Sequence, residues 1–294
     1  LFHFAPAEER LRAAMEKARQ VPRFRAEGRR GLVPTAPILV QYGLRGTEGA
    51  LSLVKKDLPV AFEGVGSQAL RAEFEEATRT AGEALERHAT WLRKEMPAGP
   101  EKAYALGEER YAGWLRAAER VTTPLPELER WALAEIEAAR RGIQEEAARL
   151  KPGARPADVV AAITADHPPT GRVVAEARRI AEEVYTWVRA KDLVTFPTDA
   201  RVRIDDTPDF MRWSFGSMWS PGPFEKAKDV VATFYATDAD PAWPPEKQNE
   251  HLTAFCHRGL ENLAIHEAYP GHFVQNMHQI RVGFGLRGGR LTLC

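Results

Sequence analysis

The sequence predicts a mainly α-helical protein with a helical N-terminal half and a small antiparallel β-sheet packed beside a late helix. Three observations lead there. Roughly the first 190 residues are rich in Ala, Glu, Arg and Leu, which lose little entropy in a helix. Near Lys191 the text changes to short β-prone runs bounded by Pro, Asp and Gly. From Glu246 a helical period returns. The organisation is therefore read as residues 1–190, helical, and 191–294, sheet plus late helix.

Element by element, Ser67 to Lys94 places Leu70, Phe74, Ala77, Ala81, Leu85, His88 and Leu92 at three- and four-residue spacings, one apolar helical face. His88 on that face reads as a packed or half-exposed residue, not a ligand. Further amphipathic helices are predicted over Glu101–Arg116, Leu125–Leu150 and Thr170–Arg189, with Pro126 in the first turn of its helix. The prolines around Pro152–Pro156 and His167–Pro169 read as turns between helices. Leu193–Phe196, Arg201–Ile204 and Val230–Tyr235 read as the strands. Val230–Tyr235 is the run expected to offer an edge to an extended peptide. The aromatics of Met211–Phe215 are read as core, with a cleft lining as the alternative. Past Glu246, Leu252, Phe255, Cys256, Gly259 and Leu263 form one stripe whose period delivers His266 to the buried side.

Composition narrows function. The 294 residues carry 41 Lys plus Arg against 41 Asp plus Glu, so no net field favours nucleic acid or an anionic membrane surface. No apolar run approaches the roughly 20 residues that span a bilayer. The two cysteines, Cys256 and Cys294, build neither a disulfide framework nor a cysteine zinc site, so metal chemistry falls to histidine and carboxylate. A cytoplasmic setting is the default; the first residue is Leu1, and a preceding secretion signal stays open. The glycine-rich stretch after Arg281 lacks the preceding periodicity and reads as a truncation or frameshift product.

The informative segment is His266-Glu267-Ala268-Tyr269-Pro270-Gly271-His272. In the pattern H-E-x-x-H, two histidines four apart on one helical face bind zinc and the glutamate acts as general base. Here the second histidine comes six residues on, and six residues of unbroken helix turn by about 600°, leaving the rings some 120° apart. The helix must be interrupted. Pro270 lacks the donor that would bond the carbonyl of His266, and Gly271 tolerates conformations forbidden to other residues. Bulged out, Pro-Gly lets His272 take the place of the fourth-residue histidine. Five such fixed positions arise by chance in a chain this long with probability on the order of 10⁻⁴, which favours metal over a satisfied core histidine.

The run Leu263 to Gln275 resembles the signature H-E-A-x-P-G-H-H-x-Q of the bacterial family called domain of unknown function 885. Tyr104–Tyr111 and Thr207–Arg212 resemble other stretches of it. The resemblance implies a zincin-like fold, similar to that of thermostable metallocarboxypeptidases carrying H-E-x-x-H. It implies zinc on His266 and His272, Glu267 as general base, and Gln275 orienting a ligand. Two departures stand out. Phe273 occupies the place of a second consecutive histidine, so that position is not an indispensable ligand. No segment like E-G-W-A-x-Y, whose glutamate is the expected third zinc ligand, follows before Cys294. The chain is thus expected to be a C-terminally truncated part of one catalytic domain, with little or no turnover of its own.

The leading functional expectation is a zinc-dependent hydrolase acting on peptides. A zinc amidase or esterase with a non-peptide acyl substrate is one alternative, and a non-catalytic helical binding protein is the other. Oligomeric state is left open. The remaining histidines read as structural: His251 and His257 on different faces of one helix, His278 in solvent, and His3 and His167 near a terminus and a proline turn.

Overall fold

A computed structural model of the protein describes residues 5–212, 215–221 and 232–282. These residues are mainly helical and divide into two compact units. The first holds residues 5–105 and the segment 208–212; the second holds 106–207, 215–221 and 232–282. The compositional change near Lys191 falls inside the second unit.

In the first unit, α1 (Ala7–Gly31), α2 (Pro37–Ser52), the short α3 (Leu58–Ala61) and α4 (Gln68–Lys94) form a helical bundle. Ser67 starts α4, its hydroxyl accepting from the Leu70 N–H at 3.2 Å, which satisfies one of the orphan donors of the first turn. All seven residues of the predicted apolar face are buried. Leu11 and Met15 of α1 pack with Leu70 and Phe74, and Ala18 packs with Ala77, Ala81 and Leu85. Residue numbers rise together along the two helices, so α1 and α4 run parallel. Gly49 of α2 admits the Asp209–Met211 turn; a side chain there would begin 2.5 Å from the Phe210 carbonyl oxygen.

The second unit begins with α5 (Glu108–Trp114), α6 (Leu125–Leu150), α7 (Pro156–Thr164) and α8 (Val173–Ala190). The helix predicted over Glu101–Arg116 is shorter at its start because Gly107, at a φ of 78°, opens it; residues 101–104 form a turn. α8 carries seven buried residues, from Val173 to Val188. They pack on a three-stranded sheet, β1 (Arg203–Asp206), β2 (Gly216–Trp219) and β3 (Thr233–Ala236), in the order β1-β3-β2. Asp238, just past β3, joins the two layers: its carboxylate accepts from the N–H groups of Gly171 and Val173 at 3.1 Å each, capping α8. Then come α9 (Pro245–Thr253), α10 (His257–Glu267) and α11 (His272–Val282).

The sheet departs from expectation in three ways. It is mixed: β3 pairs parallel with β1 and antiparallel with β2. The strand predicted at Val230–Tyr235 is described as Thr233–Ala236 and lies at the centre, bonded on both sides, so it offers no edge to a peptide. Leu193–Phe196 forms no strand; Val194 and Phe196 pack on the core as irregular chain. β2 follows directly on the Met211–Phe215 stretch and was not expected, since Gly216-Ser217 carries no β-prone pattern. Trp213, Ser214, Val230 and the tail after Val282 fall outside the described residues.

No helix among the described residues is long and apolar enough to cross a membrane.

His88 is buried and stacks on Trp91, ring centroids 5.9 Å apart. Burial, then the nearby charges of Arg25 and Arg29, lower its pKa, so folding disfavours its protonated form. Because the folded value lies below the ordinary one, the unfolded chain binds the proton first. The stability held by neutral His88 is therefore complete above about pH 6.5 and is lost as pH falls through the folded value. Replacing His88 by Phe should flatten this acid-side slope in urea denaturation between pH 5 and 8; an unchanged slope would place the effect elsewhere.

Candidate metal and general-base site

The site is built by the way α10 ends. α10 starts at Cys256, whose Sγ accepts from the Gly259 N–H at 3.2 Å, and it buries Leu260, Ala264 and Glu267. This corrects the sequence stripe. α9 stops at Thr253 and a turn through Ala254–Cys256 resets the phase, so Glu267 faces inward and His266 faces solvent. The same break puts His251 and His257 on separate helices, not on one.

Beyond Glu267 the N–H groups of Ala268 and Tyr269 both bond the carbonyl of Ala264, at 2.9 and 3.0 Å. The chain then passes a cis Tyr269–Pro270 peptide and Gly271, and α11 starts at His272. The Pro-Gly interruption is thus a full break between two helices, not a bulge within one. Gly271 is compulsory by space: a side chain there would begin 1.8 Å from the carbonyl oxygen of His266 and 2.4 Å from that of Ile265. Tyr269 pins the turn to the core. Its ring lies edge-on to Tyr185 at 5.0 Å and to Phe273 at 5.6 Å, and its hydroxyl accepts from the Val202 N–H at 2.9 Å. Burial pushes that hydroxyl up to about 12, so it stays protonated.

This turn brings the two predicted histidines together. The rings of His266 and His272 have centroids 4.8 Å apart and stand at 89°. Gln275, one turn along α11, accepts from His272 Nδ1 at 3.1 Å. An amide oxygen can only accept, so Nδ1 carries the proton and Nε2 keeps its lone pair. Glu267 is 7% exposed. Burial raises its pKa; His272, His266 and a hydrogen bond from the Met218 N–H pull the other way. Met218 belongs to β2, so the sheet supplies a main-chain donor to the carboxylate. Sequence reasoning missed it because a backbone donor leaves no mark on residue identity.

Two imidazoles holding one zinc at about 2.1 Å with tetrahedral angles have centroids roughly 5 Å apart, and the observed 4.8 Å fits that donor set. Among the described residues no group of three or more His, Cys, Asp or Glu is placed to hold a metal. His3 falls outside the described residues, while His167, His251, His257 and His278 have hydrogen-bond partners. His251 meets the Thr237 carbonyl at 2.8 Å, His257 the Asp166 carbonyl at 2.9 Å and His167 the Asn249 side chain at 3.1 Å. His278, predicted in solvent, is partly covered and meets the Thr195 carbonyl at 2.7 Å.

These features belong to a mainly helical chain whose kind is set by comparison. The chain belongs to the family described as "Bacterial protein of unknown function (DUF885)", whose model matches residues 1–283. No curated protein matches it. Among solved structures it is similar to a "putative lipoprotein of unknown function" from Shewanella oneidensis, with 22% identity and a TM-score of 0.60 over 95% of this chain and 52% of that one. It is also similar to a "putative lipoprotein" from Colwellia psychrerythraea, with 13% identity and a TM-score of 0.66 over 97% of this chain and 52% of that one. The chain thus spans about half the length of these structures.

Gly271→Ala should destabilise the folded chain by roughly 2–3 kcal/mol, since backbone must move to admit the methyl group. Urea denaturation measures this, and a variant as stable as the parent would contradict the close packing of Gly271 on His266.

Proposed function

We propose that this chain carries the histidine pair and general base of a zinc-dependent hydrolase, acting on peptides. The observation that supports the reading most is the right-angled approach of His266 and His272 around the break at Pro270-Gly271, with Glu267 buried between them in sequence. His266 and His272 would hold zinc, with a carboxylate from outside the described residues as third protein ligand. Zinc, when bound, supplies Lewis acidity and brings the pKa of water toward neutrality.

The chain's own residues do the rest. Gln275 fixes the ring of His272 and leaves Nε2 toward the metal, the role that outer partners of metal-binding histidines commonly play. Glu267 takes the proton that attacking water gives up and hands it to the departing nitrogen. Its burial raises its affinity for that proton, and the Met218 N–H keeps its carboxylate oriented. His266, being exposed, leaves the pair open to a substrate arriving from solvent. The two solved relatives are described as lipoproteins, and we extend an envelope setting to this chain in place of the cytoplasmic default.

Titration calorimetry with zinc tests the reading. His266→Ala and His272→Ala should each weaken zinc binding at least tenfold, and Gln275→Leu by 10- to 100-fold, while Glu267→Gln retains the metal. Equal zinc affinity in the parent and in His272→Ala would sink the assignment. Where zinc binds, a peptide library set against an ester panel identifies the acyl group attacked.

A further inference from the structure

The second unit carries a helix that its own chain leaves uncovered. α8, with 18 residues, buries seven of them; α6, with 26, buries only Ala147. Among the described residues α6 packs on α7 and on little else, and every residue from Glu129 to Arg141 is exposed. Trp131 is 54% exposed, Ile136 47% and Ile143 54%. A helix in a protein gains most of its stability by burying an apolar face, and α6 has such a face. Leu125, Leu128, Ala132, Ile136, Ala139, Ile143, Ala147 and Leu150 fall within a stripe about 100° wide.

The spacing of the stripe points to its partner. Its gaps run three, four, four, three, four, four, three, the same in both directions. A spacing that is its own reverse suits a two-fold contact, in which one patch serves on both sides. Turned end for end about an axis level with Glu137 and Ala138, the stripe meets a copy of itself in step. Leu125 then lies level with Leu150 of the second copy, Leu128 with Ala147, Ala132 with Ile143 and Ile136 with Ala139. Ala147 is already buried within the chain, so the contact rests on the middle layers, Ala132 with Ile143 and Ile136 with Ala139, each formed twice by symmetry. Both set a branched side chain opposite a methyl group, which lets the two helices interdigitate.

Charge selects the same direction. From Leu125 to Glu137 the helix has Glu127, Glu129, Glu135 and Glu137 against Arg130, net −3; from Ala138 to Leu150 it has Arg140, Arg141 and Arg149 against Glu145 and Glu146, net +1. The pairs Arg140–Glu137 and Arg149–Glu146, at 2.7 Å each, lie within the helix and leave these totals unchanged. Parallel copies would set the two acidic halves side by side, whereas antiparallel copies set each against the half that carries three arginines.

We propose that α6 is a self-association surface, on which a second copy of this chain docks antiparallel with the two-fold axis at Glu137 and Ala138. The contact uses no residue of the histidine pair, and its test needs no zinc.

Sedimentation equilibrium of the chain over about 1–200 µM reads the association. The parent should dimerise within that range, and Ile136→Glu and Ile143→Glu should each weaken the dimer by roughly tenfold or more. Both side chains are exposed, so the circular dichroism and urea midpoint of these variants should stay those of the parent. Cysteine cross-linking in a Cys294→Ser background fixes the direction. Ile136→Cys copies mixed with Ala139→Cys copies should form a disulfide between copies, and Leu125→Cys copies alone should not. A parent that stays monomeric throughout overturns the proposal and assigns the stripe to another polypeptide. A dimer that survives Ile136→Glu/Ile143→Glu, or one in which Leu125→Cys cross-links to itself, overturns it as well.

Discussion

The backbone of Gly271 lies against the carbonyl of His266 so closely that no side chain fits between them, and the arrangement of the candidate site depends on that contact. A helix continuing through this point would carry the two histidine rings apart by its own rotation. With the backbone pressed together, α10 ends, the chain turns within four residues, and α11 starts with its first ring beside the last exposed ring of α10. Tyr269 makes the turn stiff, since its ring is surrounded by Tyr185 and Phe273 and its hydroxyl holds the Val202 N–H ahead of β1. Proline, glycine and tyrosine thus divide the work: one removes a helical donor, one gives room, and one ties the turn to the core.

A second constraint follows from the phase of α10. Leu260 and Ala264 must face α8 and the sheet, which carries Glu267 to the buried side along with them. A carboxylate there is expensive to charge. The cost is reduced by both histidines and by the Met218 N–H, so the strand that completes the sheet also contributes to the electrostatics of the glutamate. Sheet and helix break act on neighbouring residues, and a change in either alters the environment of the other.

How much of this was legible in the sequence depends on how local the cause is. Leu125–Leu150 matches a helix to the residue, and the face from Leu70 to Leu92 is buried as its spacing requires, because propensity, capping and period all act within a few turns. The interrupted helix was legible for the same reason, as Pro270 and Gly271 sit inside the motif. Strand order was not. Whether Thr233–Ala236 lies at an edge or the centre depends on β1 and β2 arriving from distant parts of the chain, and Gly216-Ser217 gives β2 almost no local signature. The exposure of His266 was misread because the turn at Ala254–Cys256 resets the helical phase, and a periodicity count cannot see a reset made by residues that are themselves apolar.

On the proposed reading, the break at Pro270-Gly271 lets the two imidazoles, with ring centroids 4.8 Å apart, share one metal ion. Zinc K-edge X-ray absorption on the zinc-loaded chain tests it most directly. The account predicts the scattering of two imidazole rings bound through nitrogen at about 2.0–2.1 Å, falling to one in His272→Ala. A spectrum with no imidazole scattering, or one unchanged by that substitution, would contradict it.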